Sequence, residues 1–216
     1  MLGRLHVLTD FHFQQRWTHA ELAALAVRGG ADVIQFRQKS GTPRDRLANL
    51  GPTVRACRDG GATCLVDDHL DLALAAGADG VHLGALDLPV GSARSVSEAV
   101  RPSAEFVIGA TATTAEAARR AQDDGADYVG FGPVFPTSSK ASPASVKGLA
   151  GLERACAAVS IPVIAIAGVT PERVGPCLDA GAWGVAVMTA VSTAPDPGAA
   201  AAAFRRAIDG WLASVS

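Results

Sequence analysis

Asp67 and Asp68 stand side by side after the apolar run 63–66, and Asp87 follows a second apolar stretch, 80–83. Basic groups occupy the same kind of position. The segment Gln35-Phe36-Arg37-Gln38-Lys39 closes one apolar run, and Gly132-Pro133-Val134-Phe135-Pro136-Thr137-Ser138-Ser139-Lys140 follows another. Carboxylate oxygens suit a hard divalent cation, while guanidinium and ammonium groups suit phosphate oxygens. Acids and cations gathered where strands hand over to loops predict a diphosphate site with magnesium.

Side chains two apart along a strand share a face, so Gln35, Arg37 and Lys39 should point together. An Arg fork and a Lys point charge can then meet several oxygens of one anion, each charged hydrogen bond being worth about 1.5 to 3 kcal/mol. A solvated basic loop is the plainer use of such residues. Asp68 and Asp87 are the expected magnesium ligands; their plainer use is helix capping, and Asp68 ahead of Leu70 fits a cap well. Lys140, Thr137 and Ser139 add one cation and two hydroxyls in a proline-bounded loop, suited to phosphate oxygens or a departing diphosphate. Arg37, Lys39 and Lys140 are the candidate catalytic cations. The histidines show no metal-ligand spacing, and His6 and His82 fall inside strand candidates, where a core or mouth-lining role is expected. No Ser-His-Asp or Cys-His arrangement can be assembled.

Those residues need a frame, and the chain repeats one about every 25 residues. Strands are predicted at 5–8, 33–36, 63–66, 80–83, 106–108, 128–131, 163–166 and 184–187. Helices are predicted at 20–27, 44–58, 70–76, 93–100, 115–124, 151–159, 171–180 and 199–212. Thr114 offers a hydroxyl cap, and Pro171 sits in a first helical turn, where proline is best tolerated. Gly-Ala-Asp steps at Gly30, Gly77 and Gly125, and Gly181-Ala182-Trp183, end helices with a residue that can turn left-handed. Eight such units close a parallel sheet, so the expected fold is α/β, a single (β/α)8 TIM barrel over residues 1–216. An open doubly wound sheet is disfavoured, because no G-x-G-x-x-G follows the first strand.

In such a barrel the loops after the strands build the site, and the loops after strands seven and eight frequently hold phosphate. Here these are Ala167-Gly168-Val169 and Met188-Thr189-Ala190. Gly168 would let the backbone approach an anion closely.

The 216 residues carry a formal charge of -2 and are 49% hydrophobic but only 5% aromatic, which implies a core of Ala, Val, Leu and Ile. That balance excludes a surface built as a nucleic-acid or membrane footprint. Cys57, Cys64, Cys156 and Cys177 lack C-x-x-C spacing and read as reduced packing residues. The N-terminus shows no secretory signal, and apolar stretches such as 161–169 fall well short of the roughly 20 residues of a membrane helix. The expected location is cytoplasmic, and a homo-oligomer is allowed.

Taken together and in order, these segments resemble the thiamine phosphate synthase / thiazole tautomerase family over nearly the whole chain, from Thr9-Asp10 to Val187-Met188-Thr189. The most specific pieces are Q-x-R-x-K at Gln35, Arg37 and Lys39, then Asp68 with Asp71-Leu72-Ala73-Leu74, Ala78-Asp79-Gly80-Val81-His82-Leu83-Gly84 leading to Asp87, and Gly132-Pro133-Val134-Phe135-Pro136-Thr137. The resemblance implies that an aminopyrimidine diphosphate is joined to a thiazole phosphate with loss of diphosphate. It implies pyrimidine diphosphate contacts from Gln35, Arg37, Lys39, Asp67, Thr111 and Lys140, and magnesium on Asp68 and Asp87. Thiazole phosphate contacts are implied for Thr137, Ser139, Gly168, Met188 and Thr189. The implied mechanism is dissociative, with diphosphate leaving before the thiazole nitrogen captures a pyrimidine methyl cation.

The chain departs from the family pattern at Asp67, where Asn is usual, at His69 (Arg), Ala85 (Gln), Thr111 and Thr113 (a Ser-x-His pair), Ala167 (a second glycine) and Trp183 (Asp). A carboxylate at Asp67 repels diphosphate unless a metal or a proton intervenes. Ala167 and Trp183 are expected to alter the thiazole phosphate end. The related thiazole tautomerase generally lacks the metal carboxylates and relies on a His near Thr113, so Asp68 and Asp87 favour the synthase. A noncatalytic phosphate-binding paralogue is the third reading.

Overall fold

Each apolar run forms a strand, each is followed by a helix, and the strands pair in parallel in chain order until β8 returns to β1 and closes the barrel. The computed structural model describes residues 2–102, 105–137 and 145–215. The strands are β1 (Leu5–Thr9), β2 (Val33–Phe36), β3 (Thr63–Asp67), β4 (Gly80–Leu83), β5 (Val107–Ala112), β6 (Tyr128–Phe131), β7 (Val163–Ile166) and β8 (Gly184–Val187). The helices are α1 (His19–Arg28), α2 (Pro43–Gly60), α3 (Leu70–Ala76), α4 (Val90–Val100), α5 (Ala115–Asp123), α6 (Gly148–Ala158), α7 (Pro171–Asp179), α8 (Thr189–Ser192) and α9 (Pro197–Val215). No helix among the described residues is long and apolar enough to cross a membrane.

Alternation along the strands splits the core in two. Leu5, Val7, Ile34, Phe36, Val66 and Val81 face outward into one buried cluster with the helices. Leu8, Val33, Leu65, Tyr128, Ile164 and Ala186 form a second cluster in the lumen. Register carries the lumen face around the barrel: Gln35 lies opposite Leu65, Asp67 opposite His82, His82 opposite Gly109, and Gly109 opposite Tyr128. A filled lumen tolerates large side chains only where others are missing. A Cβ on Gly109 would lie 2.2 Å from the Tyr128 ring, and one on Gly130 would lie 3.0 Å from His82 Cε1.

The repeated Gly-Ala-Asp step serves the lower rim, where strands begin. Gly30, Gly77, Gly125 and Gly181 all have positive φ. In three of the four units the following Asp accepts hydrogen bonds from a neighbouring strand. Asp32 Oδ2 accepts from Leu5 N–H at 2.8 Å, Asp79 Oδ2 from Cys64 N–H at 2.7 Å, and Asp127 Oδ2 from Ile108 N–H at 2.7 Å. The fourth unit substitutes Trp183, whose Nε1–H donates to Leu2 O at 2.8 Å and whose ring lies 3.9 Å below the Arg4 guanidinium. Trp183 therefore sits at the lower rim, where β8 starts, and the expectation that it alters a phosphate site is overturned: phosphate-binding loops belong to the opposite rim.

Three element readings also change. The fifth strand runs Val107–Ala112 rather than over 106–108, because Ala110, Thr111 and Ala112 continue the ladder with β6. The segment after β8 is the short helix α8 rather than an open loop. Asp68 is not a cap: α3 begins at Leu70 behind His69, with no side-chain capping bond.

Candidate active site

β2 and β3 end side by side, and their polar ends converge. Gln35, only 4% exposed on the lumen face, donates from Nε2 to Asp67 Oδ1 at 2.8 Å. Asp67 Oδ2 lies 2.8 Å from Lys39 Nζ and 3.4 Å from Arg37 Nε. Lys39 is also paired with Asp68, and Arg37 with Asp10. Asp10, immediately after β1 and buried, further accepts from the His12 backbone N–H at 2.6 Å. Gln35, Arg37 and Lys39 thus turn to one carboxylate, as their period-two spacing predicts.

Asp68 takes φ 66°, a left-handed conformation that Asp tolerates better than most residues, and its N–H donates to His82 O at 2.9 Å. That turn sets its side chain beside Asp87, close enough for the two carboxylates to shift each other's pKa. Asp87 is itself fixed by the Gly84 N–H, which donates to its Oδ2 at 2.7 Å. A Cβ on Gly84 would come within 2.9 Å of that oxygen.

The electrostatics separate these acids. Burial raises the Asp67 pKa, and Lys39 only partly offsets it. Asp68 is also desolvated, yet its pairing with Lys39 holds it below the ordinary carboxylate range. Asp87 is raised by burial and by the neighbouring Asp68 carboxylate, against the pull of the Gly84 N–H. Lys39 is raised, because its two aspartates outweigh its desolvation. Two neighbouring carboxylates form a site that a divalent cation would relieve of repulsion, and their oxygen chemistry fits magnesium. No group of three or more His, Cys, Asp or Glu is arranged for a metal among the described residues. Magnesium commonly takes one or two protein carboxylates and completes its shell with water and substrate phosphate, so the pair suffices.

On the far side of the mouth, Thr111 Oγ1 lies 3.0 Å from His82 Nε2, and His82 Nδ1 lies 2.8 Å from the Tyr128 hydroxyl. The loop after β6 is clamped to the end of β7. Val134 N–H donates to Ile166 O at 3.0 Å, and Phe135 N–H to Ala167 O at 3.1 Å. Arg173 donates to Gly168 O at 2.6 Å while lying 4.6 Å from the Phe135 ring. Gly168 has φ 66°, and a Cβ there would meet Pro136 O at 2.5 Å, so only glycine fits beneath this loop. Ala167 has φ 79° with a Cβ to accommodate. Thr137 is half-buried at the end of the described part of the loop; Ser139 and Lys140 lie outside the described residues. Met188 precedes α8, where its carbonyl accepts from Ser192 N–H at 2.8 Å, and Thr189 opens that helix.

A cleft of about 980 Å³ opens beside Asp10, Arg37 and Lys39, with Phe11, Phe13 and Trp17 of the β1–α1 loop in its wall. Sequence reasoning assigned no role to Asp10, although it obeys the strand-end rule that singled out Asp67. It also missed the Tyr128–His82 pair, because Tyr128 opens a strand and its hydroxyl finds His82 only across the closed lumen.

The family described as thiamine monophosphate synthase matches residues 5–191. A thiamine-phosphate synthase of Salinibacter ruber is 57% identical over 211 residues, covering 98% of this chain and 91% of that protein. One from Methanoculleus marisnigri is 48% identical over 201 residues, covering 93% of each. Among solved structures, thiamine phosphate pyrophosphorylase from Pyrococcus furiosus superposes with a TM-score of 0.86 at 34% identity, covering 97% of this chain and 96% of that one. With its carboxylates, cations and barrel mouth arranged in this way, the chain belongs to the thiamine monophosphate synthase family.

Proposed function

We propose that the protein is a transferase of thiamine biosynthesis, joining 4-amino-2-methyl-5-pyrimidinylmethyl diphosphate to a thiazole phosphate to give thiamine phosphate and diphosphate. The observation that carries this reading is the convergence of Gln35, Arg37, Lys39, Asp67, Asp68 and Asp87 on one rim. The setting proposed is the cytoplasm, in keeping with four cysteines that form no disulfide.

Lys39 and Arg37 meet the diphosphate, exchanging part of their pairing with Asp67 and Asp10 for phosphate oxygens. Lys140 is proposed to add a further cation from the β6 loop. Asp68 and Asp87 would hold magnesium, which supplies positive charge beside the leaving diphosphate. Gln35 and Thr111 orient the pyrimidine diphosphate from the lumen side. Thr137, Ser139, Gly168, Met188 and Thr189 are proposed to hold the thiazole phosphate. The bond between the pyrimidine methylene carbon and the diphosphate oxygen breaks with its electron pair on oxygen. The thiazole nitrogen lone pair then forms the new C–N bond. No enzymic nucleophile is needed, so catalysis rests on positioning and on charge stabilisation. The tautomerase and noncatalytic readings have no comparable support, since the relatives at 57% and 48% identity are both named as synthases.

The test is thiamine phosphate formation by the purified protein given both substrates and magnesium, beside Asp68→Ala and a chelator. Product that disappears in both controls is expected. No product from the wild type, with thiazole phosphate still bound, would overturn the synthase reading.

A further inference from the structure

Thr111, His82 and Tyr128 run in hydrogen-bond contact from the mouth down into the lumen. Tyr128 is 1% exposed, and burial, followed by the charges of Asp67 and Asp127, pushes its pKa above the ordinary phenol value, so it keeps its proton. A buried hydroxyl proton requires an acceptor, and the one Tyr128 meets among the described residues is His82 Nδ1, at 2.8 Å. A ring nitrogen that accepts carries no proton, so in a neutral imidazole the proton is on Nε2, facing Thr111 Oγ1 at 3.0 Å. Thr111 then accepts on its inner side, and its own hydroxyl proton is left to point into the mouth.

The barrel makes room for this chain of groups. Gly109 and Gly130 leave the lumen volume that the Tyr128 ring and the His82 ring occupy; a Cβ at Gly109 would stand 2.2 Å from the Tyr128 ring. Filling a lumen needs only apolar bulk, which Leu or Ile supplies at Leu65 and Ile164. A tyrosine admitted by Gly109 and aimed at a histidine admitted by Gly130 serves hydrogen-bond direction rather than volume.

We propose that Tyr128 is a positioning residue: it holds His82 as the Nε2–H tautomer and thereby makes Thr111 a hydrogen-bond donor to an acceptor atom of the bound pyrimidine diphosphate. The acceptor is a phosphate oxygen or a ring nitrogen. The ligand's identity rests on the function proposed above; the tautomer does not.

Nitrogen NMR of labelled histidine reads the tautomer directly in the ligand-free protein. The wild type should show His82 protonated on Nε2 alone, and Tyr128→Phe, which keeps the ring that fills the lumen, should show a mixture. Calorimetry then compares binding of the pyrimidine diphosphate and of inorganic diphosphate, each with magnesium. Tyr128→Phe and Thr111→Val should each weaken the pyrimidine diphosphate about tenfold, the loss expected for one hydrogen bond to a charged or polar acceptor, and the double variant no further. An equal loss for inorganic diphosphate supports the proposal with a phosphate oxygen as acceptor; loss for the pyrimidine diphosphate alone supports it with a ring nitrogen. An Nδ1–H or imidazolium His82 in the wild type overturns it, as does a Tyr128→Phe protein that binds like the wild type while Thr111→Val does not. A wild type with the expected tautomer that fails to bind the pyrimidine diphosphate overturns the proposed function, and the donor role with it.

Discussion

Asp67 faces the proposed diphosphate site, and its surroundings explain how a carboxylate is tolerated there. It is buried against Lys39, Arg37 and Gln35, and burial raises its pKa. An amide of the same shape would still accept from Gln35 while releasing Lys39 and Arg37 toward phosphate. Asp67→Asn is therefore expected to keep or raise turnover, with an equal or lower KM for the pyrimidine diphosphate in steady-state assays; a large loss would show that the carboxylate itself is needed. Ala167 tests a different kind of cost. At φ 79° its Cβ crowds the backbone, a penalty of about 1 kcal/mol that glycine avoids. Ala167→Gly should accordingly stabilise the protein by about 1 kcal/mol in urea denaturation, and an unchanged or lower midpoint would refute the strain. Most of this site was legible from residue types at strand ends. Asp68 was legible too, but its choice between capping α3 and facing Asp87 was not, because the left-handed turn that decides it is set by packing of β3 against β4.

The strands divide labour between their two ends. At the lower ends Asp32, Asp79 and Asp127 satisfy N–H groups of neighbouring strands, far from Asp67 and Asp87. Asp79→Ala would strand the buried Cys64 N–H at a cost of about 1 to 3 kcal/mol. Thermal unfolding should fall accordingly while kcat stays at the wild-type value; a fall in kcat at a temperature where the variant is fully folded would contradict the division. The Gly-Ala-Asp repeat was visible as a helix terminator, but its carboxylate role was not, since each Asp bonds to a strand one unit earlier in the chain. The true extent of β5 was hidden for a related reason. Gly109, Ala110 and Ala112 have weak strand propensity, so Thr111 stands alone among them as a strand former, and the segment extends because β6 supplies a ladder.

Closing the barrel buries two histidines that carry no charge in the folded molecule. His6 in the lumen and His19 beneath the β1–α1 loop are each 1% exposed, and burial lowers both from 6.5 to about 4. Below pH 6.5 the unfolded chain binds protons that the folded chain refuses. Stability is thus complete above about 6.5 and is lost as pH falls toward 4, by about 3 kcal/mol for each imidazole. Urea midpoints should drop across that window. They should drop less steeply in His19→Phe, whose ring still fits between Phe11 and Phe36; an identical slope would exclude His19 as a source.

The sequence by itself determined the barrel, its eight strand–helix units and the rim on which acids and cations gather, because periodicity and strand-end position are local properties. Tertiary structure decided the partners. Arg37 meets Asp10 across β1 and β2, Lys39 bridges Asp67 and Asp68, and Tyr128 reaches His82 through space that Gly109 and Gly130 leave open. Trp183, similar in sequence position to the Asp residues of the other units, proved to lie at the rim opposite the site. Those contacts depend on register and closure, which place residues from distant strands at one height, and no local pattern in the chain encodes that height.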